Sequence, residues 1–235
     1  MNYKDCGAIF YENYGIVELD LELLIRLLKC FPMGYEECLK WQRELNKERE
    51  EGKVEDIIIA TEHPDTYTGG IHFKGDYEKY QVPILRVERG GNLTYHGPGQ
   101  LVLYFIFNLK SRRMNVRDLI LKVQDALVST LLEYGVDAEG RLFERTGIWV
   151  EERKICSIGF AVRGSTTLHG IAININTDLR KFYAISPCDL DPGIMTSLQK
   201  EIGKEVNMAE FLEKAARNLA VVFGEEIDEE PCKLD

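Results

Sequence analysis

The chain reads as an α+β protein, a mixed/antiparallel sheet with helices packed on one side. Three observations predict this. A capped apolar stripe over residues 115–131 marks a long amphipathic helix. Strand-like segments then follow one another at Gly147–Glu151, Lys154–Val162 and Leu168–Asn176, with no helix between them. Upstream, two apolar runs, Val82–Val87 and Leu101–Leu109, flank a loop that cannot be helical.

Taken in order, Leu19–Leu28 is a short apolar helix candidate that breaks near Phe31-Pro32. A second helix is expected over Tyr35–Glu51, with Tyr35, Cys38, Leu39, Gln42 and Leu45 along one face and Gly52 as its stop. The Ile-Ile-Ile run makes Asp56–Thr61 a buried strand. In the third helix Asn115 caps, Asp118 sits in the first turn, and Val116, Leu119, Ile120, Val123, Leu127 and Leu131 form the stripe up to Gly135. Asn207 with Glu210 opens a last helix that runs to about Phe223. The organisation expected is an amino-terminal extension over 1–33, one domain over 34–224, and a solvated acidic tail over 225–235.

Composition narrows the function classes. With 45% hydrophobic and 29% charged residues over 235 positions, the chain is an ordinary soluble globular protein. It has neither an apolar run near the ~18–20 residues of a membrane span nor a signal pattern, so a cytoplasmic location is expected. The net charge of −10 argues against general nucleic-acid binding. Lys110, Arg112, Arg113 and Arg117 still cluster locally, either as solvated surface or as a docking patch for an acidic protein. Six cysteines without a CxxC pair argue against a disulfide framework and a thiolate zinc site. Four histidines without HxxH or HxH spacing argue against any metal.

The loop between the apolar runs is the most informative segment: Arg89-Gly90-Gly91-Asn92-Leu93-Thr94-Tyr95-His96-Gly97-Pro98-Gly99-Gln100. Its glycines let the backbone approach a ligand and leave N–H groups unshielded. Arginine, threonine, tyrosine, histidine and glutamine side chains decorate it, as expected of a pocket wall. This segment with LVLYFIFNL after it, EHPDTYTGG at 62–70, GIWVEERKICSIGFAVR at 147–163 and HGIAININTDLRKFYAISPCDLDPGIMTSL at 169–198 together resemble the lipoyl(octanoyl) transferases. The resemblance spans roughly Tyr35 to Val222 and implies the catalytic fold shared by biotin and lipoate protein ligases.

It also implies a chemistry. Cys188 matches the family's nucleophile, which carries the acyl group as a thioester, and Lys154 matches its catalytic lysine. Read without the resemblance, Cys188 is a loop cysteine beside a proline and Lys154 a charge at a strand end. A free thiol has a pKa of ~8.5, so a nearby ammonium that favours thiolate, or a neutral lysine that takes the proton, would activate it. Both protonation states remain open. Cys156 shares the strand face of Lys154, as a core filler or a rival nucleophile. His96 falls inside the signature, to orient the acceptor or shuttle a proton, or simply to bond its own loop. His63 is a further candidate to face the site, and His169 is read as the cap of a strand start.

By the same resemblance Arg89, Gly90, Gly91, Asn92, Leu93, Thr94, Tyr95 and His96, with Ser157, Ile158, Gly159, Gly170, Ile171 and Ala172, line the substrate channel. Gly159 and Gly170 would leave space, and Leu93, Ile158 and Ile171 would wall an eight-carbon chain. The implied donor is octanoyl-acyl carrier protein. The implied acceptors are lipoyl domains of 2-oxoacid dehydrogenase complexes and the glycine cleavage H protein. No cofactor, nucleic acid or membrane enters. Two departures stand out. Asp189 follows the cysteine where the family has glycine, and a carboxylate there would raise the thiol pKa. Gly69-Gly70 stands where a glycine-arginine pair is usual. The alternatives are an octanoyl amidotransferase between lipoyl domains, a non-catalytic acyl-binding protein, and an ATP-dependent ligase, for which the chain lacks both a Walker-type loop and an RRxSGGG pattern.

Overall fold

The computed structural model describes residues 24–185 and 192–232. The elements are β1 (Ile25–Cys30), α1 (Tyr35–Glu50), β2 (Asp56–Thr61), β3 (Thr66–Gly69), β4 (Ile84–Arg86), β5 (Leu93–His96), β6 (Gln100–Ile106), α2 (Val116–Leu132), β7 (Glu139–Arg141), β8 (Gly147–Val150), β9 (Arg153–Arg163), β10 (Thr166–Asn174), α3 (Leu198–Ile202), α4 (Met208–Phe223) and β11 (Ile227–Pro231). An eight-stranded sheet has the order β11-β1-β2-β6-β10-β9-β8-β7. Its first three strands run parallel and the remaining pairs antiparallel. A small sheet of order β4-β3-β5 stands beside it. The predicted α+β class with a mixed sheet is what is observed.

Burial explains the strand sequences. Every residue of β2, β6 and β10 is buried, because helices cover both faces. Ile58, Ala60, Leu101, Leu103 and Phe105 pack in one core cluster with Leu119, Val123 and Leu127 of α2 and Phe211 and Leu219 of α4. The alternate residues Ile57, Ile59, Val102, Tyr104 and Ile106 pack with Cys38 and Leu45 of α1. The α2–α4 pair thus covers one side as expected, while α1 lies on the other, a placement its periodicity did not announce. α2 begins with a capping box between Asn115 and Asp118.

Four readings change. Residues 25–28, expected in a helix, form strand β1, whose ladder to β2 outweighs an apolar pattern short enough to fit either period; residues 19–23 lie outside the described residues. The acidic end, expected as a solvated tail, supplies edge strand β11, with Glu230 on Arg26 and Glu229 on Lys29. Cys30 and Cys232, expected free, form a disulfide, because β1 and the residue after β11 run side by side with Cα atoms 4.9 Å apart. Arg112, read as solvated surface or part of a docking patch, has a buried side chain instead. It donates to Asp56 and to both oxygens of Glu225, with its guanidinium 4.4 Å from the Phe107 ring centroid. Arg113 and Arg117 remain exposed.

Candidate active site

The glycine-rich segment is not one long loop, for its middle forms β5 against β3. Strand alternation then sorts its side chains. Leu93 and Tyr95 turn into the core of the small sheet with Tyr67 and Phe182, so Leu93 is no wall of the channel. Thr94 and His96 turn the other way, into a slot between the two sheets. Arg89 is buried and spans to β3, donating to Thr68 O at 2.8 Å and to Thr68 Oγ1 at 2.9 Å. The Gly90 N–H donates to Phe160 O at 3.0 Å and ties the loop to β9.

The slot holds about 40 Å³ of space and is open at its mouth. Its walls include Arg89–Gly91, Thr94 and His96 from the loop, Ser157–Gly159 from β9 and Gly170–Ala172 from β10, so most of the predicted lining converges on one cavity. Gly159 and Gly170 act differently from expectation. A Cβ on Gly159 would lie 2.9 Å from Gly90 O, and one on Gly170 would lie 2.0 Å from Leu103 O. The missing side chains make room for neighbouring backbone, not for ligand. Ile171 lines the slot while also packing in the α2–α4 core, and Val102 and Ala172 supply further apolar wall.

Four wall residues were not foreseen as such: Tyr35, Val102, Tyr104 and His169. The two-residue spacing of Val102 and Tyr104 on a strand was the available signal. His63 lies behind the wall. Its Nδ1 donates to Met33 O at 2.7 Å, which leaves Nε2 to accept from Tyr104 Oη at 2.7 Å. Burial holds His63 down to about 4. His96 is fixed by the same logic. Gln100 Nε2 donates to Tyr95 O and Asn174 Oδ1, so Gln100 Oε1 accepts from His96 Nδ1 at 2.9 Å. His96 is thereby a neutral imidazole with Nε2 as its acceptor, and burial pushes its pKa well below the usual histidine range. Tyr35 stacks on it at 5.4 Å, and burial pushes the Tyr35 hydroxyl up to about 12.

Lys154 is 4% exposed, a buried amine rather than an edge charge. Gly147, at φ +154°, makes its room: a Cβ there would lie 2.6 Å from Lys154 Cε. Its Nζ stands 5.6 Å from the Trp149 ring centroid. Its backbone is also held, since Thr196 N–H donates to Lys154 O at 3.0 Å while Asn174 Nδ2 donates to Thr196 O at 2.9 Å. A hydrogen-bonded chain therefore connects His96, Gln100, Asn174 and Thr196 to Lys154.

Lys154 lines a cleft of about 810 Å³ that also takes in Asn92, Phe143 and Arg145. The cleft shares Gly90, Gly91, Ile158 and Gly159 with the slot, so the two adjoin across β9 and the glycine loop. Cys188 and Asp189 lie outside the described residues. The chain on either side is anchored here, with Ile185 and Met195 in one apolar cluster and Met195 bridged to Lys154. Cys156 is fully buried in the main core, and burial pushes its thiol up to about 12 against the opposing pull of Lys154. That suits a core filler and not a nucleophile. Among the described residues, no group of His, Cys, Asp or Glu side chains could hold a metal ion.

A narrow apolar slot beside a cleft that holds a buried lysine, on this sheet, defines a domain of the lipoate protein ligase fold. Lipoate-protein ligase A bound with ATP superposes with a TM-score of 0.67 at 17% identity, over 91% of this chain and 90% of that one. A bipartite lipoate protein ligase from Thermoplasma acidophilum gives 0.63 at 18% identity, over 91% and 88%. The family described as lipoyl protein ligase A/B catalytic domain matches residues 34–220, and the chain belongs to it. The probable octanoyltransferase 2 of Picrophilus torridus is 47% identical over 222 residues, covering 94% of this chain and 87% of that protein. An octanoyltransferase of Thermoanaerobacter sp. is 37% identical over 206 residues, covering 84% and 90%.

Proposed function

We infer that this chain is an octanoyltransferase of protein lipoylation, working in the cytoplasm. The observation that carries the reading is the adjacency of the narrow apolar slot and the cleft lined by Lys154. The similarity to the octanoyltransferases supplies the reaction class. No helix among the described residues is long and apolar enough to cross a membrane.

In this reading the Cys188 thiolate attacks the thioester carbonyl of octanoyl-acyl carrier protein. The tetrahedral intermediate collapses, the carbon–sulfur bond to the carrier's phosphopantetheine breaks, and that thiol leaves with a proton. The octanoyl group remains on Cys188 as a thioester. A lysine amine of a lipoyl domain then attacks the same carbon, the Cys188 sulfur leaves, and an amide forms. Lys154 is the group that exchanges the proton in each half. Backbone N–H groups near the nucleophile and in the glycine loop are the donors for the oxyanion. Each buried CH₂ of the chain contributes about 0.8 kcal/mol to binding. No ATP is needed, because the donor thioester is already activated.

Intact-mass measurement tests this. Incubation with octanoyl-acyl carrier protein without ATP should add one octanoyl group, reversed by hydroxylamine. Cys188→Ala should abolish the adduct and Cys156→Ala should retain it. An adduct lost with Cys156→Ala, or formed only with ATP, would refute the assignment.

A further inference from the structure

We propose that His169 is a hydrogen-bonding terminus of the slot and that the slot accepts acyl chains carrying a neutral hydroxyl at their far end. The proposal rests on the acyl-transfer reading for the orientation of the chain, and extends it to a further class of substrate.

Two unfavourable features meet at this residue. Its φ is +63° in the middle of β10, where a non-glycine side chain is strained. Its imidazole is 1% exposed, and neither ring nitrogen has a hydrogen-bond partner. Buried polar groups of native proteins are nearly always paired, so an unpaired one at a ligand cavity marks a partner that arrives with the ligand. The strain is actively held. The twist turns the His169 N–H out of the sheet ladder, and Gln42 Oε1 of α1 accepts it at 3.0 Å. Local turn chemistry would not need a buried glutamine from another element to keep the ring facing the slot.

The position suits a chain terminus. His169 pairs with Phe160 across the β9–β10 ladder, while Lys154 lies six residues earlier on β9, roughly 20 Å by strand rise. Lysine side chain and acyl chain together span that interval, which puts the reacting carbonyl at the Lys154 end and the chain's last carbons at His169. The charged groups facing the ring are Glu88, whose Oε2 lies 3.7 Å from Nε2, and, beyond it, Arg43 and Arg89. Glu88 is already engaged by Arg43 through two hydrogen bonds. A neutral alcohol both donates and accepts, so it pairs with whichever nitrogen the neutral imidazole presents. An ammonium there would meet a Glu88 already engaged by Arg43, and an alcohol needs no counter-charge at all.

Calorimetry with octanoate and 8-hydroxyoctanoate tests the inference on the wild-type protein. The hydroxy acid should bind about threefold to tenfold tighter, the worth of one neutral hydrogen bond. His169→Gly, which accepts a positive φ without strain, should abolish the preference, and His169→Asn should restore part of it. Equal binding, or tighter binding of octanoate, would overturn the proposal and leave a water as the ring's partner. Carrier thioesters of both acids separate it from the reading beneath it. If neither acylates the protein while the hydroxy acid still binds tighter, the transferase reading fails and the His169 assignment stands.

Discussion

Two buried polar regions, one at the start of β2 and one between the two sheets, are built in opposite ways. Around Asp56 the groups are ionic and satisfied: Arg49 and Arg112 both donate to its carboxylate, Asn108 N–H adds a further bond, and Glu225 takes the rest of Arg112. Around the slot the groups are neutral and only partly satisfied. His63 and His96 are locked by hydrogen bonds, while both ring nitrogens of His169 are left without one. The first arrangement fixes where elements meet. The second keeps hydrogen-bonding capacity for something that is not part of the chain. Burial of polar residues alone does not separate scaffold from site; the state of their partners does.

The largest expected effect tests the ionic region. Asp56→Ala leaves two guanidinium groups without their shared carboxylate. Removing one member of a buried ion network costs about 3–5 kcal/mol. Denaturant unfolding should register that loss. Acylation per folded molecule should stay unchanged. A variant as stable as the parent would show that the network is decorative.

The neutral region is probed by pH. His63 is held at about 4 against an unfolded value of 6.5 by burial. Because the unfolded chain binds the proton first, the stabilisation is complete above pH 6.5. It is lost progressively as pH falls from 6.5 towards 4, by about 3 kcal/mol in all. His96 and His169 are lowered in the same direction. The wild-type slope therefore counts more than one proton, and His63→Asn should remove one proton's share of it. An unchanged slope would mean that His63 is protonated in the folded protein.

Legibility in the sequence follows the same division. Helices α2 and α4 could be read because cap, stripe and stop are local signals, and β2 because a run of isoleucines needs no partner to be recognised. The glycine-rich segment announced a pocket wall, and the slot is there. What could not be read depends on pairing across long separations. β1 needs β2 and β11, Arg112 needs Asp56 and Glu225, and Cys30 needs a cysteine 202 residues away. His169 was equally opaque. Its strand position is ordinary in sequence, and only the backbone twist and the missing partners give it meaning.

The disulfide bears on the ionic end of the comparison. β11 buries little apolar surface, so its attachment rests on its ladder, two ion pairs and the Cys30–Cys232 bond. Reduction, or Cys232→Ser, should cost about 2 kcal/mol and lower Tm by roughly 4–8 °C. Hydrogen exchange should quicken in residues 227–231 first, while binding in the slot is untouched. An unshifted Tm under reducing conditions would show that ladder and ion pairs hold β11 alone.

The smallest expected effect on stability has the sharpest functional readout. Gln42→Met keeps the volume of a side chain packed between Cys38 and β10 but removes the acceptor of the His169 N–H. An orphaned buried N–H costs about 1–2 kcal/mol, partly recovered if the backbone twist relaxes. Relaxation would turn the ring away from the slot. The variant should therefore remain folded, keep its affinity for octanoate, and lose the preference for the hydroxylated chain. Retention of that preference would show that the backbone twist at His169 holds its shape without α1, and that the glutamine belongs with the satisfied scaffold rather than with the site.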